Sequence, residues 1–169
     1  MHVSTSSAFW DGMNEKFYRK YHGLDKQHQV WMNTVASGKP IEGPLGRSWK
    51  LEMKKDYHGE LKLPITQLVN LPVQGTGADI MMLARLSANR RIKAAKIEAD
   101  FISTVHDSLC WDTESKNVQQ IVDICHQVFE DLPKNIKRLF NYDWTVPMEC
   151  ECKGGLNMKD QIKIKKSGA

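Results

Sequence analysis

The sequence predicts an α+β domain, a small antiparallel sheet backed by helices. Three observations carry that reading. Apolar residues recur at helical spacing in several stretches, above all Val118, Ile121, Val122, Cys125, Phe129 and Leu132. Short runs such as Phe101 to Val105 alternate sides as strands do, and tight turn signals separate them. No βαβ alternation or internal repeat runs through the 169 residues.

Taken in order, Phe9, Met13, Phe17 and Tyr21 mark a first helix, with Ser6 or Ser7 as its cap. Gly23 is expected to break it. Leu24, His28, Trp31 and Val35 continue on a second helix that Gly38 and Pro40 end. The aromatic residues of both helices are expected in the core. Pro40 to Arg47 is rich in turn residues, and Trp49, Leu51 and Met53 alternate as a short strand. Lys54 to Glu60 reads as a polar connection. Pro64 to Leu71 suits a short helix that Pro72 interrupts, because the residue before a proline is pushed out of the helical region.

A long helix is then expected from about Gly75 to Ala95, with Ile80, Leu83, Ala84, Ser87, Ala88, Ile92 and Ala95 as its inner stripe. Gly75 and Gly77 weaken its first turn, which suggests either a close neighbour or a simple bend. Two strands follow, with His106 and Asp107 at the turn between them. The amphipathic helix from Val118 is expected to stop at Pro133, with a further short helical turn over 135–142. Trp144, Val146, Met148 and Cys150 alternate as a last strand, placed at a sheet edge by Pro147. A loose lysine-rich tail closes the chain. The expected divisions are a flexible N-terminus over 1–8, a domain over 9–160 and a basic tail over 161–169.

Composition excludes several classes. No run of 18 apolar residues suits a membrane span, and the N-terminus lacks the pattern of a signal peptide, so a cytoplasmic protein is expected. Cys110, Cys125, Cys150 and Cys152 include no C-x₂-C pair, which argues against zinc and for free thiols. The formal charge of +4 permits a nucleic-acid partner without requiring one. Its distribution is more telling, since Arg85, Arg90, Arg91, Lys93 and Lys96 crowd the central helix.

Two stretches carry candidate chemistry. Asp107, at a hairpin tip, is a hard oxygen ligand suited to Mg²⁺, and it is equally a good turn residue. His106, Asp107 and Ser108 are adjacent and cannot line up as a catalytic relay. The amides of Asn70 and Gln74 can donate to the acceptors of a nucleic-acid minor groove, or cap helix ends. Arg85 and Arg91 can neutralise phosphates. Gly75-Thr76-Gly77 lacks the residues of a phosphate-binding loop or a dinucleotide fingerprint.

These same residues carry a resemblance. Asn70-Leu71-Pro72-Val73-Gln74-Gly75-Thr76-Gly77-Ala78-Asp79-Ile80 resembles the N-x-P-x-Q-G-T-x-A-D-I segment of family A DNA polymerases. Val105-His106-Asp107-Ser108 is similar to their third motif, usually V-H-D-E. Phe17 to Gly23 resembles the F-x-x-x-Y-P-G segment, and Leu45-Gly46-Arg47 the T-x-x-G-R hairpin. Glu151 to Met158 is similar to the family's closing strand and loop.

The resemblance, over about residues 9 to 160, implies the C-terminal part of the polymerase palm. It implies that Asp107 binds catalytic Mg²⁺, that His106 lies near the primer 3′ end, and that Gln74 and Asn70 contact the minor groove of primer-template DNA. The reaction implied is attack of the primer 3′-hydroxyl on the α-phosphate of a dNTP. Two residues depart from the pattern: Ser108 replaces the motif glutamate, and Thr66 stands where the family has arginine. The first metal motif, D-Y-S-Q-I-E-L-R, and the fingers helix, R-x₃-K-x₆-Y-G, do not occur in these residues. The implied protein is therefore inactive alone. Either a second chain supplies the missing motif, fingers and thumb, as in a split phage polymerase, with a fragment of a longer enzyme as a variant of that account, or the chain is a non-catalytic remnant that binds duplex DNA or scaffolds a replication complex.

Overall fold

The computed structural model describes residues 6–168. Its helices are α1 (Ser7–Lys20), α2 (His22–Ala36), α3 (Ile65–Ala94) and α4 (Val118–Phe140). Its strands are β1 (Ile41–Glu42), β2 (Ser48–Trp49), β3 (Lys54–Lys55), β4 (Leu61–Lys62), β5 (Ala99–Val105), β6 (Ser108–Thr113), β7 (Cys152–Gly154) and β8 (Ile162–Ile164). The architecture is α+β, as predicted. The expected small sheet is resolved into four antiparallel pairs of consecutive strands among the described residues. Two compact units emerge, one of residues up to 43 with 48–73, the other of 44–47 with 74–169. Residues 1–5 of the expected flexible N-terminus lie outside the described residues.

In the first unit, the Ser6 side chain accepts from the Phe9 amide and caps α1. Gly23 is not the break. α1 ends before Tyr21, whose φ of −114° and ψ of 55° leave the helical region, and Gly23 lies in the first turn of α2. The aromatic stripe of α1 is not core either: Phe9, Met13, Phe17 and Tyr21 are 38–47% exposed, and no residue of α1 is buried. These rings pack on each other instead, Phe17 against Tyr21 at 5.0 Å between centroids. The core of this unit is Val35, Ile41 and Leu68, with Trp31, Trp49, Leu51 and Leu63 packed around them. Trp49 pairs with Ile41, but the strand stops there; Leu51 is held by packing alone. The polar connection that follows contains the β3–β4 hairpin, whose turn is organised by Asp56 accepting from the amides of His58 and Glu60.

Pro72 does not interrupt α3, which is continuous across it. A proline withholds its N–H from the carbonyl four residues back and crowds it, a cost of about 3 kcal/mol. Here Leu68 is fully buried and Pro72 is itself buried, so packing offsets the lost bond. Pro133 in α4 repeats the pattern. The helix runs on to Phe140, because Leu132 and Ile136, either side of the proline, are 1% and 0% exposed. Asn141, at φ 54°, then ends it in the left-handed conformation.

The second unit is built on α3 against α4. Ala84 and Ala88 let Val128, Leu132 and Ile136 approach closely, with Leu45 and Ile80 completing the cluster. The predicted inner stripe is buried at Ile80, Ala84, Ser87, Ala88 and Ile92, half-buried at Leu83, and exposed at Ala95. Gly77 meets no atom within 4 Å of where a Cβ would stand, so no close neighbour accounts for it here. No strand forms over 144–150; Trp144 and Met148 still face the core without a partner strand. The last pair is β7 with β8, and of the two only β8 falls in the expected loose tail. Gly155 is required there, since a Cβ would fall 2.1 Å from the Asp160 carbonyl oxygen. Ser167 then binds Asp123 of α4 through its amide at 2.8 Å and its hydroxyl at 2.7 Å.

Candidate active site

The β5–β6 hairpin positions the central candidates. Val105 pairs with Ser108, leaving His106 and Asp107 as a two-residue tip. His106 takes a positive φ of 51°, which turns the chain back sharply. Both side chains are exposed. The Ser108 hydroxyl donates to the Val105 carbonyl at 2.8 Å, closing the tip. The residue in the glutamate position of the motif is thus occupied with the turn.

Several bonds fix this hairpin. Trp111 Nε1 donates to Asn89 Oδ1 of α3 at 2.8 Å. Phe101 and Trp111, cross-strand partners, meet edge to face at 5.5 Å. The Arg85 guanidinium of α3 lies 5.5 Å from the Phe101 ring centroid, a cation–π contact. At the base, Thr113 Oγ1 and Asn117 Nδ2 both donate to the Glu98 carbonyl. The tip is therefore a free end on an anchored stem.

Asp100 and Asp112 are paired at that base, so neither meets Asp107. Among the described residues, no group of three or more metal-ligating side chains includes Asp107. The donor chemistry fits Mg²⁺ in one respect: Asp107 offers a hard carboxylate oxygen at an exposed turn. A metal held there would need its other ligands from outside this turn, since no two further ligating side chains join Asp107 among the described residues.

Asn70 and Gln74 are exposed and lie inside α3, not at its ends, so a capping role lapses. The two predicted phosphate ligands differ in their present engagements. Arg85 touches Phe101, as above. Arg91 Nη2 donates to Asp131 Oδ2 of α4 at 2.7 Å, with both side chains about a quarter exposed. That bond holds the Asp131 carboxyl below the ordinary aspartate range.

Two arrangements escaped the sequence reading. Arg47 grips Asp79 with two nitrogens, Nε donating to Oδ2 at 2.9 Å and Nη2 to Oδ1 at 2.5 Å. This joins the Leu45-Gly46-Arg47 turn to α3 and raises the arginine's pKa. No local signal foretold it, since 32 residues separate the two side chains. The second is a cluster of His126, Cys150 and Cys152, whose ligand atoms lie within 4.8 Å of one another. Interaction with the neighbouring Cys125 and Cys150 thiols holds the pKa of Cys152 down and raises theirs.

The DNA polymerase family A model matches residues 2–160. DNA polymerase I of Aquifex aeolicus (strain VF5) is 22% identical over 143 residues, covering 79% of this chain and 23% of that enzyme. The DNA polymerase of Bacillus phage SP01 is 27% identical over 97 residues, 57% of this chain and 10% of the relative. The POL domain of Pol1 from M. smegmatis, solved with DNA primer-template and dNTP, superposes with a TM-score of 0.67 at 19% identity, over 85% of this chain and 24% of that one. The chain thus spans less than a quarter of these relatives' length. With the family model covering nearly all of it, this chain belongs to DNA polymerase family A.

Proposed function

We propose that the chain is the C-terminal part of a DNA polymerase palm, acting in template-directed incorporation of dNTPs as one piece of a larger assembly. The observation that carries this is the His106-Asp107 tip, exposed at the end of an anchored hairpin. In this reading Asp107 is one carboxylate ligand of the catalytic Mg²⁺, and His106 positions the primer 3′ end. When bound, the metal pair would stabilise the attacking and leaving oxygens as the 3′-hydroxyl displaces pyrophosphate from the α-phosphate. Gln74 and Asn70 donate to minor-groove acceptors, which are shared by all base pairs and so tolerate any sequence. Arg85 meets backbone phosphate. Arg91, already paired with Asp131, holds α3 to α4 first and reaches phosphate second.

The other metal carboxylate, the fingers and the thumb come from a second polymerase chain. Phage origin fits such a division. Capture of that partner by this chain, followed by primer extension with Mg²⁺ on the complex, tests the proposal. Incorporation by the complex and none by either part supports it; a complex without incorporation overturns it. A second reading has support from Ser108, whose hydroxyl is turned to Val105. In it the chain binds primer-template duplex without catalysis, and the same experiment would give DNA binding with no extension.

A further inference from the structure

We infer that His126, Cys150 and Cys152 form a three-ligand site for a soft divalent ion of the zinc class, which fastens the C-terminal strand pair to α4. The inference is independent of the polymerase reading. The sequence argument against zinc rested on the missing C-x₂-C pair. The fold supplies His126 on α4 and the short pair Cys150-x-Cys152 at the entry to β7, and brings the three together.

The local backbone explains why. Residues two apart on an extended chain point the same way, so Cys150 and Cys152 both reach His126 of α4. Glu151 between them turns outward, where it binds Lys153 at 3.0 Å and Lys163 at 2.7 Å. On α4 the site falls between two anchors of the C-terminal segment, Asp123 with Ser167 and Glu130 with Lys166. The three ligand atoms lie within 4.8 Å of one another. A tetrahedral zinc with these donors needs them about 3.5–3.8 Å apart, given Zn–S and Zn–N bonds of ~2.3 and ~2.0 Å. A contraction of about 1 Å closes the set.

Thiolate and imidazole donors select zinc over magnesium or calcium, which prefer oxygen. All three side chains are partly buried, which limits water at the ion while leaving a path to it. On binding, the cysteine protons pass to solvent as zinc–sulfur bonds form, with no change of oxidation state. The ion would join α4 to the entry of β7 through three protein ligands, with water in its fourth position.

The test uses the full chain, purified under reducing conditions and then supplied with Zn²⁺ or Co²⁺ alone. The expected result is one equivalent of metal per chain by elemental analysis. Co²⁺ should give thiolate charge-transfer absorption and the intense visible bands of a tetrahedral centre. Zinc should protect Cys150 and Cys152 from alkylation and raise the melting temperature. His126→Ala and Cys150→Ser should each weaken zinc binding by more than about 100-fold, beyond what loss of an outer partner costs. Circular dichroism of each variant checks that the fold persists. Should a variant unfold, the wild-type cobalt spectrum decides alone. Substoichiometric metal with no charge-transfer band overturns the inference. So does a chain lighter by two hydrogens, with a Cys125–Cys152 disulfide that re-forms after reduction and no metal uptake in the reduced state.

Discussion

The indole nitrogen of Trp111 donates to Asn89 Oδ1 across 2.8 Å, and this one bond ties the return strand of the His106-Asp107 hairpin to α3. Both residues are partly buried, so the amide oxygen has little water to turn to if the indole is lost. Trp111→Phe keeps the ring and removes the donor. It should cost about 1 kcal/mol of stability in a denaturant titration, while Trp111→Tyr, which restores a donor at a different reach, should not recover it. An unchanged midpoint for Trp111→Phe would show that the bond is not formed in solution.

Asp107→Asn should remove nucleotide incorporation by the assembled polymerase without loosening its assembly. The expected drop exceeds the roughly 10–100-fold that follows loss of an outer partner of a metal ligand. Steady-state incorporation at several Mg²⁺ concentrations, beside a co-purification assay, measures both. Turnover equal to wild type would remove Asp107 from the metal site.

Gln74→Ala should weaken primer-template binding by about fivefold, the equivalent of one lost hydrogen bond, and shorten the products of each binding event. Because minor-groove acceptors are degenerate, the loss should be the same on A·T-rich and G·C-rich templates. Processivity assays on two such templates test this; a loss confined to one composition would argue for a different contact.

Acid should loosen the second unit. Asp131 is held below the ordinary aspartate value by Arg91, Asp123 by the Ser167 amide, and Glu151 by Lys163. Each folded-state value is lower than the unfolded one, so the native state binds fewer protons. Their stabilisation is complete above the unfolded values of about 4 and drains away as pH falls through the folded ones. Unfolding midpoints measured from pH 6 down to about pH 2 should fall, and Asp131→Asn should flatten part of that fall. A profile identical to wild type would show that Arg91 gains nothing from the pairing.

Periodicity was a sound guide where helices pack on helices. The stripe from Ile80 to Ile92 and the anchors of α4 are legible because α3 and α4 bury one face against each other. It misled at Phe9 to Tyr21, where the same spacing faces no core among the described residues. Proline rules failed at Pro72 and Pro133 because the neighbouring Leu68, Leu132 and Ile136 are almost fully buried, a gain that local chemistry does not display. The His106-Asp107 tip was legible because a two-residue turn between alternating runs is a local signal. The Arg47–Asp79 pair and the thiol cluster were not, since 32 residues separate the first pair and the second depends on where β7 meets α4.

The left-handed backbone of His106 has a consequence for interpreting natural variation and mutagenesis at the tip. At φ 51° only glycine, asparagine, aspartate and histidine sit with little strain, so the palette at this position is narrow before any chemistry is considered. A substitution by valine would confound geometry with function, since a branched Cβ resists that φ. Asparagine keeps the turn and deletes the imidazole. Comparing His106→Asn with His106→Val therefore separates what the ring does from what the bend does, and histidine at this site in a relative is weaker testimony to catalysis than aspartate at the next.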